Sequence, residues 1–161
     1  PRGWRRPWTG WWRRPLGRTT PRRGLGRTVK VVVDASVVVK WALPEPYAQE
    51  ARRLRDDHLT GRVTAIAPPC LWLEVASALR KYALRGLLPA EKALKAAELL
   101  YQTEVEIEEV DPAQVLATAL KHGVTAYDAA YILLAERHNA LLFTADEKLL
   151  RYPKARHVRD Y

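Results

Sequence analysis

Short apolar runs alternate with longer stretches of helical spacing along this chain. Val29 to Val33 is β-branched except for Lys30, the pattern of a strand buried on both faces. Ser36 to Leu43 reads as a short helix ended by Pro44 and Pro46, and Tyr47 to Leu59 as a charged helix stopped near Gly61. Val63 to Ala67 makes a second strand before Pro68 and Pro69. Leu71 to Arg85 is a strong helix closed by Gly86, and Pro89 to Tyr101 opens with proline in its first turn. Val105 to Val110 largely alternates apolar and acidic residues, which suits an exposed edge strand. Helices follow at Pro112 to Lys121 and Ala126 to His138, then a strand at Ala140 to Thr144 and a short helix at Asp146 to Arg151. Ala155 to Val158 is a fifth candidate strand.

Strands that alternate with helices predict an α/β fold: a three-layer α/β/α sandwich around a mainly parallel sheet of four to five strands. In such sheets the functional crevice lies at the carboxyl ends of the strands. Asp34 stands at one such end, and Asp146 just past another.

Charge changes the picture at one end only. The chain of 161 residues carries a net charge of +9, yet residues 1–28 hold nine arginines and no acid. Without those nine, 18 basic residues face 18 acidic ones from Val29 onward, so the body is neutral. Residues 1–28 also crowd Pro, Gly and Trp without any apolar period, which predicts a disordered tail. Such a tail reads as a mis-assigned start, with Val29 as the natural beginning, as a cloning artefact, or as an arm that grips phosphate and stacks on bases. The body, 29–161, is one domain. Cys70 is the only cysteine and no apolar run approaches a membrane span, so a cytoplasmic protein is expected.

Four acids have mostly apolar neighbours: Asp34 in VVVDAS, Glu74 in LWLEVASALR, Asp128 in AYDAAYILLA and Asp146 in LLFTAD. Each has a structural explanation. Asp34 and Asp146 could cap the helices that follow, Glu74 could lie on a solvated stripe, and Thr125-x-x-Asp128 fits a capping box. Brought together instead, the four would repel one another and hold protons unless a cation were present. Oxygen-only ligands suit Mg²⁺ or Mn²⁺, and such an ion can activate water against a phosphodiester. Ser36 and Thr144, each two residues from an acid, are placed to hold a water or a phosphate oxygen; local cap bonding is the alternative. The four histidines show no ligand spacing and read as solvated, and Cys70 has no companion for zinc. No P-loop, GxSxG or HExxH is present.

With VVVDASVVVKWALPEP, LWLEVASALR, TAYDAAYILLAE and LLFTADEKLL in this order, the chain resembles the PIN-domain ribonucleases, in particular the VapC toxins of toxin–antitoxin pairs. The resemblance runs from about Val29 to the C-terminus and implies a PIN-like sandwich. It implies an Mg²⁺- or Mn²⁺-dependent endoribonuclease acting on structured RNA of the tRNA or rRNA class. Asp34, Glu74, Asp128 and Asp146 become its catalytic and metal-binding acids, and Ser36 and Thr144 its supporting hydroxyls. The products would carry a 5′-phosphate and a 3′-hydroxyl. Lys40, Arg80, Lys81 and Arg85 become candidates for RNA phosphate contacts. A homodimer and a VapB-like antitoxin are the expected partners, with Trp41, Leu43, Trp72 and the aliphatic face of Leu71 to Tyr82 as their groove. A housekeeping PIN nuclease and a non-catalytic RNA-binding module are the alternatives.

Overall fold

The computed structural model describes residues 28–161; the tail expected at 1–28 lies almost entirely outside them. Its order is β1 (Val29–Val33), α1 (Ala35–Ala42), α2 (Ala48–Leu59), β2 (Val63–Ala67), α3 (Leu71–Leu84), α4 (Ala90–Tyr101) and β3 (Glu106–Ile107). Then come α5 (Pro112–His122), α6 (Ala126–His138), β4 (Leu142–Thr144), a 3₁₀ turn (Leu149–Arg151), β5 (Ala155–His157) and a last 3₁₀ turn (Val158–Asp160).

The five strands form one sheet in the order β3-β2-β1-β4-β5, and every neighbouring pair is parallel. The β-branched run of β1 takes the centre, where Val32 and Val33 are fully buried. From β1 the chain moves outward through β2 to β3, then crosses back and builds β4 and β5 on the other side. The order therefore reverses between β1 and β4, which creates a crevice at their carboxyl ends. Asp34 follows β1 directly, and Thr144 ends β4.

Helix α1 is rich in valine, a residue of modest helix propensity, so burial rather than propensity holds it. Val37, Val38, Val39, Trp41 and Ala42 are all buried, and the helix packs against α2, α3 and α4. Trp41 and Leu43 are completely enclosed, so they belong to the core and cannot form the docking groove expected of them. On α3 the exposed apolar residues are Leu73 and Leu84, while Trp72 is half-buried against Tyr101.

Three elements are shorter than the sequence pattern suggests, and the strand expected from Ala140 begins only at Leu142. Only Glu106 and Ile107 of the alternating run pair as a strand. The acids there face solvent and Lys30, whose ammonium bridges Glu106 (3.1 Å) and Glu108 (2.6 Å) from β1. The helix expected over Asp146 to Arg151 tightens to a 3₁₀ turn, because the Asp146 carboxylate takes the Lys148 N–H at 2.9 Å and Pro153 follows. The α5–α6 junction turns on Gly123, whose φ of +63° closes α5 in a conformation that favours glycine.

Candidate active site

Asp34 occupies the junction of β1 and α1 with 5% of its surface exposed. Its backbone is extended, and it caps α1 by accepting the Val37 N–H at Oδ1 (3.1 Å). The Ser36 hydroxyl donates to the same oxygen at 2.6 Å, and the Thr144 hydroxyl donates to Oδ2 at 2.5 Å. Each hydroxyl in turn accepts a backbone N–H from the segment leaving β4. Ala145 N donates to Ser36 Oγ (2.8 Å), and Asp146 N donates to Thr144 Oγ1 (2.9 Å). Two hydrogen-bond relays thus run from the exit of β4 to one buried carboxylate.

Burial pushes the Asp34 carboxyl up to about 6. The bonds from Ser36, Thr144 and Val37 oppose that push, and the nearby charge of Glu74 adds to it. Glu74 lies in the first turn of α3 and is held from below by Tyr131 of α6. The Tyr131 hydroxyl, on a side chain 1% exposed, donates to Glu74 Oε2 at 2.6 Å. Burial, and then the Glu74 charge, drives the Tyr131 phenol strongly upward, so it stays protonated and remains a donor. The Cys70 thiol also bonds Glu74 and is pushed up to about 12, chiefly by burial.

The other two acids stand at the rim. The Asp146 carboxylate is exposed and holds the Lys148 N–H, while its own N–H joins the relay to Asp34. Asp128 receives the Thr125 hydroxyl at 2.8 Å and returns its N–H to the same oxygen at 3.1 Å, a reciprocal cap at the start of α6. Asp34 thus caps α1 as expected, whereas Thr125 is the cap of α6 with Asp128 bonded to its hydroxyl, and Asp146 closes a local turn with Lys148 N–H; these bonds fix where each carboxylate stands. Asp34 and Glu74 are brought within electrostatic reach of each other. Among the described residues, no three acidic, histidine or cysteine side chains gather into a metal cage. The oxygen donors of Asp34, buried, and of Glu74, half-buried within its electrostatic reach, nevertheless have the chemistry that fits a hard divalent cation.

A groove of about 620 Å³ opens beside Glu74 and the Ser36 hydroxyl that bonds Asp34. Ser36, Glu74, Lys40, Lys81, Arg85 and Tyr127 line it. Three of the four expected cations therefore face it, while Arg80 is exposed elsewhere on α3. Lys40 is itself buried and ion-paired to Glu45 at 2.5 Å, with the Tyr82 hydroxyl donating to the other Glu45 oxygen. That leaves Lys81 and Arg85 as the exposed cations of the groove. Asp128 lines a second depression, of about 330 Å³, with Thr125, Lys148, Arg151 and Tyr152.

The histidines do not enter the site, but they are not simply solvated. His58 accepts the Ala65 N–H at Nδ1, which leaves Nε2–H to donate to Thr103 O. His122 and His138 pair with Glu136 and Glu108.

Tyr131, Glu45, Tyr82, Lys148 and Arg151 went unnoticed in the sequence reading. For Tyr131 a signal existed: a tyrosine one turn after Asp128, on the most apolar helix, needs a partner for its hydroxyl. Tyr131→Phe is expected to leave the fold intact and to lower stability by about 1.5–3 kcal/mol, because a buried donor to the Glu74 carboxylate is gone. Thermal denaturation reads the effect. An unchanged midpoint would show that Glu74 needs no such support.

Residues 31–155 match the PIN domain family. The chain is 38% identical over 125 residues to Ribonuclease VapC3 of Pyrobaculum aerophilum, spanning 75% of this chain and 92% of that protein. It is 32% identical over 120 residues to Ribonuclease VapC12 of Mycobacterium tuberculosis, spanning 74% and 88%. A crystal structure of a Pyrobaculum aerophilum protein superposes with a TM-score of 0.67 at 24% identity, over 82% of this chain and 85% of that one. A toxin–antitoxin complex from Klebsiella pneumoniae gives a TM-score of 0.58 at 14% identity, over 80% and 97%, so these two likenesses speak for the fold.

Proposed function

This chain belongs to the PIN-domain family, and from that premise we propose that it is a VapC-type toxin, an endoribonuclease that hydrolyses phosphodiester bonds in structured RNA in the cytoplasm. The observation that carries the reading is Asp34: a carboxylate buried at the switch point of the sheet, beside the charge of Glu74 and hydrogen-bonded to Ser36, both of which line an open groove. A buried carboxyl raised by desolvation beside a second acid at a sheet's switch point is the kind of group found at functional sites. Named ribonucleases at 32–38% identity support the same activity.

Asp34 and Glu74 would hold a Mg²⁺ or Mn²⁺ ion, with Asp128 and Asp146 completing its surroundings. Such an ion supplies a water nucleophile at neutral pH and neutralises charge on the phosphate under attack. The protein's own groups do the rest. Ser36 and Thr144 hold the Asp34 carboxylate in one orientation, and Tyr131 does so for Glu74. Lys81 and Arg85 draw the RNA backbone into a groove whose floor is acidic. Leu84 on α3 and Leu94 on α4 are exposed large apolar side chains available to a second copy or to an antitoxin.

Incubation of the protein with total tRNA and rRNA, with Mn²⁺ or with EDTA, tests this reading. Cleavage is expected only with the cation, and the new ends should be 5′-phosphate and 3′-hydroxyl. Cutting that persists in EDTA, or ends bearing a 2′,3′-cyclic phosphate, would show attack by the RNA's own hydroxyl and overturn the assignment.

A further inference from the structure

Glu45 stands in the loop between α1 and α2, flanked by Pro44 and Pro46, and its backbone is held from both sides. Its N–H donates to Leu43 O at 2.9 Å, and its carbonyl accepts the Ala48 N–H at 3.1 Å. The prolines fix their own φ and restrict Leu43 and Glu45, the residues before them. Tyr47 follows in the left-handed region at a φ of 64°, and its ring packs edge-on against His157 with centroids 4.9 Å apart. A bulky residue is strained there, and such strain persists only where the surroundings over-determine the backbone. The loop so fixed presents the Glu45 side chain in the wall of the groove.

The two oxygens of that carboxylate take partners from different helices. Oε2 pairs at 2.5 Å with the ammonium of Lys40, one turn beyond Ser36 on α1. Oε1 accepts the hydroxyl of Tyr82, about two turns beyond Glu74 on α3. Lys40 is 8% exposed, and among the described residues Glu45 is the one acid paired with it. Among the same residues, no other side-chain hydrogen bond ties α3 to α1 or to the loop that follows it. Apolar packing is non-directional, so it resists the separation of two helices better than their sliding.

We infer that Glu45 is a positioning residue: by holding Lys40 and Tyr82 on its two oxygens, it sets the register of α3 against α1 and so the place of Glu74 relative to Ser36 and Asp34. Its effect on rate rests on the proposed nuclease reading; the brace between the helices does not. Neutralising Lys40 is not by itself a sufficient use for Glu45. A buried ion pair adds little stability over well-packed apolar side chains, whereas it does fix geometry when one partner also bonds a third group.

Two variants of the full chain test this. Tyr82→Phe keeps the ion pair and removes only the link to α3. Lys40→Met/Glu45→Met removes both buried charges together and the link with them. Both should melt within about 3 °C of wild type, since neither leaves a buried charge unpaired. On an end-labelled tRNA that the wild type cleaves with Mn²⁺, each should lower kcat about tenfold and leave KM within about twofold. Lys30→Ala, which loses its ion pairs to Glu106 and Glu108 away from the groove, should keep the wild-type kcat. In EDTA, backbone amides of α3 should exchange about threefold faster in both variants, with those of α5 unchanged. Wild-type kcat in either variant overturns the inference while the nuclease reading stands. So does a raised KM at unchanged kcat, which would make Tyr82 a contact for RNA. If the wild type cleaves no RNA with Mn²⁺, the nuclease reading fails, and hydrogen exchange alone decides the brace: unchanged exchange in α3 overturns it.

Discussion

Asp34→Asn is expected to abolish RNA cleavage and, in the same protein, to raise the stability of the metal-free chain at pH 8. Both effects come from one feature. Burial pushes the Asp34 carboxyl up to about 6 from an ordinary value near 3.8. A carboxyl whose pKa is higher in the folded state favours folding most where both states are protonated, below about pH 4. That contribution is lost as pH rises through about 6, by a total on the order of 3 kcal/mol. Asparagine keeps an acceptor for Val37 N–H and Ser36 and offers an N–H₂ to the Thr144 oxygen, but it carries no charge. The variant should therefore melt higher than wild type in EDTA at pH 8, and the advantage should vanish near pH 4. Adding Mn²⁺ should raise the melting temperature of the wild type and leave that of the variant nearly unchanged. Cleavage at the wild-type rate, or a variant that melts lower than wild type at pH 8, would remove Asp34 from its proposed role.

Thr144→Val should act in the opposite direction on stability. Thr144 is fully buried, and its hydroxyl both donates to Asp34 Oδ2 and accepts the Asp146 N–H. Valine has the same shape, so packing survives while two hydrogen bonds are lost. One of them is to a charged group, and losses of this kind cost about 1.5–3 kcal/mol each when the charge stays buried. Without the Thr144 bond, the Asp34 carboxyl should rise further, since that bond opposes the effect of burial. The loss of stability should accordingly be larger at pH 8 than at pH 4. Cleavage should fall tenfold or more, because Asp34 loses its orientation and the Asp146 backbone its tether. Thr144→Ser keeps the hydroxyl and should recover most of the activity. If serine and valine behave alike, Thr144 matters only for packing.

The two variants bear on a single relay, and the relay explains how much of the site could be read in advance. Ser36 and Thr144 could be singled out because each lies two residues from an acid, and local spacing is visible in a sequence. That both point at the same carboxylate depends on β1 and β4 lying side by side with Val33 opposite Phe143. Nothing local encodes that pairing. Tyr131 is 57 residues from Glu74, and its hydroxyl bond exists only because α3 and α6 meet beneath the crevice. Lys40 shows the reverse. Read alone it is a free cation on a helix, but burial and Glu45 have already claimed it.

The elements themselves were written in the chain. The valine run of β1, the prolines that end α1, the glycine that ends α5 and the largely apolar stretch of α6 each act within a few residues, through sterics and local composition. So were the four acids and the family to which they point, since those rest on residue identity at fixed places. What the tertiary structure alone decided is how charge is shared. It sank Asp34 and tied it to both strands, set Glu74 beside it, and left Asp128 and Asp146 at the rim. It also enclosed Trp41 and Leu43 while leaving Tyr127 exposed, although all three are large apolar side chains. Burial and electrostatic coupling depend on which distant segments a residue meets, and that is a property of the packed sheet and its helices rather than of any stretch of sequence.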